Sequence, residues 1–172
     1  MKKFLVGLLT AVGLFSASQA HAFDLTASYG GYTQMDAMDC HDGGGDVNTA
    51  WGAVNFGANF NVAPGFTIGP SYSFSSTSRK HFSENKFYYH VLMLNGKYNY
   101  YRNSIVTLYG HVGIGSVITH QTYEGDSKNK GYFAFQISPI GAYVGITPQI
   151  ALFGEAGFGA QGLLQVGVKI NL

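Results

Sequence analysis

From Phe23 to Leu172 the chain repeats one pattern: stretches of about ten residues in which apolar and polar positions alternate, separated by short turns and longer polar connections. The last stretch shows it most plainly. Leu164, Val166, Val168, Ile170 and Leu172 fall on one face, while Leu163, Gln165, Gly167, Lys169 and Asn171 fall on the other. A period of two belongs to a strand, because a helix would scatter the same apolar residues around its axis. The pattern predicts strands over 23–34, 48–62, 66–78, 87–101, 104–118, 132–146, 150–159 and 162–172.

The connections fall into two classes. Ala63-Pro64-Gly65, Tyr101-Arg102-Asn103 and Thr147-Pro148-Gln149 are tight turns of the kind proline, glycine and asparagine favour. Met35 to Val47, Arg79 to Lys86 and Thr119 to Gly131 read as long polar loops, and only the connection near Ala160-Gln161 is short among them. Short and long connections alternate along the chain, which sends all tight turns to one end of the sheet. The expected fold is therefore all-β: a closed antiparallel up-and-down transmembrane β-barrel of about eight strands, with both termini and the tight turns in the periplasm. Alternation alone does not say which face looks outward, so a soluble lipocalin-like ligand binder stays as an alternative.

Following the period through the strands places Val54, Phe56, Ala58 and Phe60, then Leu92, Leu94 and Tyr98, then Val106, Leu108, Val112 and Ile114, then Phe133, Phe135 and Ile137 on the outer face. Phe66, Tyr88, Tyr98, Tyr100 and Phe133 lie near strand ends, where amphipathic rings suit a headgroup boundary. The opposite face collects Asn55, Asn59, Ser71, Ser73, Ser75, Asn95, Lys97, Thr107, Tyr109, His111, Gln136, Ser138, Glu155, Gln165 and Lys169. A barrel this narrow is filled by its own side chains, so these predict a hydrogen-bonded polar core. Lys97, Lys169 and Glu155 are expected to form an ion-paired structural cluster there, with His111 nearby, because unpaired buried charge is costly. Glycines inside the strands, Gly57, Gly113, Gly141 and Gly157 among them, leave room for large inward neighbours.

Composition supports the membrane reading. Charged residues are 11% of the chain and aromatics 15%, against about 25% charged in ordinary soluble domains. In lipid every backbone donor and acceptor needs an internal partner, and a closed sheet supplies them without a spanning helix. Residues 1–22 read as a cleaved signal peptide: Lys2 and Lys3, an apolar run from Phe4 to Phe15, and Ala20-His21-Ala22 before the cut. Residues 23–172 would form the mature outer-membrane barrel domain. Removing Lys2 and Lys3 from ten basic residues leaves eight against nine acidic ones, so no basic surface for nucleic acid is expected. Cys40 is the single cysteine and excludes an intramolecular disulfide.

Three loops carry the remaining candidate chemistry. The first, Asp36 to Asp46, gathers Cys40, His41 and aspartates among glycines. It lacks zinc-ligand spacing and the EF-hand order, so a solvated loop is expected, with pairing of Cys40 to another chain as the minor reading. The second holds His81-Phe82-Ser83-Glu84, which is similar to the His-x-Ser pair of outer-membrane lipid deacylases but is otherwise a common tripeptide. The third, Tyr123 to Lys130, mixes both charge signs and suits contact with lipopolysaccharide or simple solvation. No catalytic residue, metal ligand or cofactor site is expected.

The runs Gln136-Ile137-Ser138-Pro139-Ile140-Gly141, Phe153-Gly154-Glu155-Ala156-Gly157-Phe158-Gly159 and Gly167-Val168-Lys169-Ile170-Asn171-Leu172 resemble those of the small outer-membrane β-barrel proteins of Gram-negative bacteria, the porin-family barrels. That resemblance implies outer-membrane localisation, with outer-membrane lipids, lipopolysaccharide and the barrel-insertion machinery as partners. The family's last strand usually closes on an aromatic residue, whereas this chain closes on Leu172. The expected role is structural or surface-interacting through the extracellular loops, and non-enzymatic. A minor porin or small-solute conduit is the alternative, and a lipid-modifying enzyme a more distant one.

Overall fold

A computed structural model describes residues 23–38, 40, 47–78, 86–123 and 126–172. The signal peptide expected over 1–22 and the His81–Glu84 run lie outside the described residues. Eight strands follow in order: β1 (Phe23–Gly31), β2 (Ala53–Ala63), β3 (Phe66–Ser78), β4 (Lys86–Arg102), β5 (Val106–Tyr123), β6 (Asp126–Gly145), β7 (Ile150–Gly159) and β8 (Leu164–Asn171). Each pairs antiparallel with the next, and β1 pairs with β8 from Asp24↔Asn171 to Gly31↔Leu164, which closes the barrel. Closure leaves no sheet edge around the ring and gives every strand two ladder partners.

Local chemistry sets the three tight turns. Gly65 takes the left-handed conformation at φ 74° after Pro64, and its carbonyl accepts from Asn99 N–H at 2.7 Å. The Asn103 side-chain oxygen accepts from the N–H groups of Ile105 and Val106 at 2.9 and 2.6 Å. Thr147 Oγ1 does the same for Gln149 and Ile150, at 3.3 and 3.0 Å. Side-chain oxygens thus satisfy backbone donors that the ladder cannot reach.

A bulge in β6 resets the alternation. The register shifts between Ile137 and Ile140 opposite β7, so Pro139 and Ile140 both face out, while Ser138 before them and Gly141 after them face in. Pro139, which has no N–H for the ladder, occupies that break. Without it Ile140, Ala142 and Val144 would have turned into the lumen.

The wall is uneven in height. β7 has 10 residues and β8 has 8, but β4, β5 and β6 have 17, 18 and 20. At a rise of about 3.3 Å per residue, β5 outruns β7 by roughly 25 Å of strand. The excess lies at the loop end, because β6–β7 pairing stops at Gln136↔Gly159 while β5–β6 pairing continues to Tyr123↔Asp126. The long loop expected over Thr119–Gly131 is therefore a correction: those residues are mostly ladder. Polar residues such as Thr119, His120, Gln121 and Thr122 do not signal strand by hydrophobic alternation where a wall stands clear of lipid.

Thr33, Gln34, Met35 and Cys40 turn inward against this taller wall, a second correction. A four-residue helix, α1 (Gln34–Ala37), is closed at its start by Asp36, whose Oδ2 accepts from both Thr33 N–H and Thr33 Oγ1, at 2.7 and 2.8 Å. Asp36 Oδ1 also accepts from Ala50 N–H at 2.6 Å, tying both limbs of the connection together. Thr33, Gln34, Met35 and Cys40 are buried, not solvated.

Candidate functional site

Three tiers fill the barrel interior. At the loop end Met35 and Cys40 pack with Phe87, Tyr89, Val91 and Met93 of β4, Val117 of β5, Ala134 of β6 and Ala160. This tier corrects the expectation of a wholly polar interior: the inward phase of β4 turns apolar above Asn95, and Met35 and Cys40 cover it. Three hydrogen bonds fix Cys40 and Gln34 there. Thr119 Oγ1 donates to the Cys40 carbonyl at 2.7 Å. Gln34 Nε2 donates to the Phe133 carbonyl at 2.8 Å, and Phe135 N–H donates to Gln34 Oε1 at 3.1 Å. One side-chain amide thus stands in for a ladder partner where β7 has ended.

The middle tier is polar and centres on Glu155. Its Oε1 accepts from His111 Nδ1 at 2.7 Å and from Gln165 Nε2 at 3.0 Å, and its Oε2 accepts from Tyr109 Oη at 2.9 Å. His111 Nε2 lies 3.0 Å from Asn95 Oδ1. Asn95 Nδ2 donates to Ser71 Oγ at 2.7 Å, and Gln161 Nε2 donates to the same oxygen at 2.8 Å. Five strands, β3, β4, β5, β7 and β8, and the β7–β8 connection meet in this network, and each member is buried. The space left among them is about 20 Å³, close to one water.

The turn-end tier begins with rings. Tyr109 stacks on Tyr143 with centroids 4.3 Å apart, and Phe153 tilts against Tyr143 at 5.8 Å. Gly141 makes the stack possible, since a Cβ there would lie 2.3 Å from the Tyr109 ring. Lys97 Nζ sits 5.6 Å from the Tyr109 centroid and 5.7 Å from that of Phe153, with Tyr143 Oη at 3.4 Å. Lys169 Nζ lies 4.5 Å from the centroid of Tyr143 and pairs with Asp24 Oδ2 at 3.1 Å. Asn59 Nδ2 donates to Asp24 Oδ1 at 2.6 Å. Below the rings a vestibule of about 480 Å³ opens at the turn end.

The four residues expected to cluster are thus divided. His111 and Glu155 form one hydrogen-bonded pair; Lys169 pairs instead with Asp24, a residue outside the expected set; Lys97 has rings and a phenol around it and no ion pair among the described residues. Asp24 shares the inward phase of Thr26 and Ser28 and pairs with Asn59 across β1–β2, so strand parity carried the missing signal. Gln34, Gln161 and Gly141 act through contacts distant in sequence, which parity does not reveal. Among the described residues no group of three His, Cys, Asp or Glu side chains could hold a metal; Asp39 and His41–Asp46 lie outside them.

Outside the barrel, Phe56, Leu94, Val112, Ile114, Ile137 and Val166 are all more than half exposed, a continuous apolar band. In water such a band would drive aggregation, whereas in a bilayer it is the solvated face. Aromatic rings flank it: Tyr98 and Tyr100 toward the turns, Tyr29, Trp51, Phe74 and Tyr88 toward the loops. Residues 5–161 match the outer membrane protein beta-barrel domain family. The chain belongs to that family. It is an outer-membrane protein, and its apolar band is the lipid-facing belt such a barrel requires. No curated protein matches the sequence. Among solved structures the barrel is similar to Neisserial surface protein A, at 10% identity and a TM-score of 0.54, over 88% of this chain and 95% of that one. It is also similar to the N-terminal β-barrel domain of Pseudomonas aeruginosa OprF, at 9% identity and a TM-score of 0.55, over 90% of this chain and all of that domain. Identities this low carry the fold alone.

Proposed function

We propose that this barrel is a non-enzymatic, integral outer-membrane protein with a structural or surface-interaction role, presenting its tall β4–β6 wall and adjoining loops outside the cell. The carrying observation is the filled lumen. An apolar tier that includes Met35 and Cys40 stands over a hydrogen-bonded tier around Glu155, and about 20 Å³ is left within the latter. A small-solute conduit needs a continuous water path, which two stacked tiers of buried side chains oppose. The short turns then face the periplasm and the longer connections face outward. Outer-membrane lipids and lipopolysaccharide contact the apolar band, and the barrel-insertion machinery handles the chain during assembly.

Two measurements test this reading. Purified protein in planar bilayers should give no discrete conductance steps; reproducible unitary steps would replace the structural role with the conduit. An epitope inserted between Glu124 and Gly125, at the β5–β6 hairpin, should be labelled on intact cells. Labelling only after permeabilisation would reverse the orientation.

A further inference from the structure

The turn-end vestibule has more chemistry than a water-filled barrel mouth requires. Its charged lining residues are Asp24, Arg102 and Lys169. Both Asp24 oxygens are already engaged, Oδ2 by Lys169 at 3.1 Å and Oδ1 by Asn59 at 2.6 Å. The Arg102 guanidinium forms no ion pair or side-chain hydrogen bond among the described residues, and Arg102 is exposed at the rim, held by its backbone pairing with Thr107. One tier deeper, the Lys97 charge also lacks an ion pair. Lys169 is balanced by Asp24, and the Lys97 charge faces Glu155 as well as Asp24, so three cations against two carboxylates leave one net positive charge, that of Arg102 at the rim, and low-dielectric barrel walls focus its field at the mouth.

The rest of the lining narrows the ligand. Asn99 and Asn171 supply amides, Thr67 and Thr107 hydroxyls, and Tyr143 a ring at the floor. A guanidinium fork matches a carboxylate, and amides and hydroxyls match a hydroxylated skeleton. The volume of about 480 Å³ falls within the range of about 300–1,000 Å³ usual for small-molecule sites. We propose that the vestibule is a binding site for a small hydroxylated carboxylate, an acidic sugar of the compartment that the turns face, with Arg102 and Lys169 holding its carboxylate.

The test uses the full barrel in nanodiscs, titrated with D-glucuronate and, separately, with D-glucose, which has the same ring without the carboxylate. Backbone amide shifts at Arg102, Thr107 and Lys169 should saturate together with glucuronate, and glucose should bind at least about tenfold more weakly. Arg102→Gln should weaken glucuronate by about tenfold without changing the barrel's gel migration, and Arg102→Lys should recover only part of that loss. Lys97→Met, which removes a charge one tier behind the vestibule that touches the hydroxyl of its floor ring Tyr143, should weaken it by about two- to threefold. A response that never saturates, equal binding of glucose, or Arg102 variants that bind like the parent would each overturn the site. None of these outcomes depends on whether the lumen conducts.

Discussion

His111 on β5 reaches across the lumen to Glu155 on β7, placing Nδ1 2.7 Å from Oε1 over the intervening strand β6. The two strands share no ladder, so this contact braces the barrel where backbone pairing does not. Tyr109 and Gln165 complete the shell around the same carboxylate at 2.9 and 3.0 Å.

Removing that carboxylate leaves three buried donors without their acceptor. Glu155→Ala should lower the unfolding free energy in detergent by about 3–5 kcal/mol, the cost of breaking a buried charged network from one side. Urea titration followed by gel migration with and without boiling reads the effect. An unchanged midpoint would mean that Glu155 does not brace the barrel.

The two lysines at the turn end should respond differently from their acidic neighbour. Asp24→Ala strands both Lys169 and the Asn59 amide and should cost about 1–3 kcal/mol. Lys97→Met replaces a cation that has rings and a phenol in contact, and Glu155 and Asp24 only at longer range, with an apolar chain of similar length, and should change stability by less than about 1 kcal/mol. The same urea assay distinguishes them, and equal losses would show that Lys97 is paired after all.

Space for the Tyr109–Tyr143 stack rests on a missing side chain. Gly141→Ala puts a Cβ 2.3 Å from the Tyr109 ring and should destabilise by about 1–3 kcal/mol through overpacking. Gly110→Ala, whose Cβ would meet nothing closer than 3.8 Å, is the control and should be nearly silent. Similar behaviour of the two variants in thermal unfolding would remove the steric argument.

Gln34 closes the β6 backbone above the end of β7, so its loss should be felt locally. In Gln34→Ala the Phe135 N–H loses its acceptor, and its hydrogen exchange should speed up by at least about tenfold. Amides of the β1–β8 seam should exchange as before. Uniform acceleration would mean global destabilisation, and no change would mean that another group holds the edge.

Strand period and turn chemistry were readable because each depends on neighbours in sequence. Alternation placed Asn95, His111 and Glu155 inside and Leu94, Val112 and Ile137 outside, and the tight turns announced themselves through Pro64-Gly65, Asn103 and Thr147. The same reasoning failed in two places. Thr119 to Lys130 lack hydrophobic alternation because a wall standing above the membrane need not be apolar outside. Met35 and Cys40 sit among aspartates and glycines that suggest solvent, yet the inward Phe87, Tyr89 and Val117 gave them an apolar surface to cover.

By itself, then, the sequence determined the number of strands, their antiparallel order and the sign of each face, because strand geometry ties polarity to position with a period of two. Tertiary structure alone decided who pairs with whom inside. Which carboxylate each lumen cation meets depends on the stagger of strands around the closed ring, and that stagger gave Glu155 to His111, Asp24 to Lys169, and no ion pair among the described residues to Lys97.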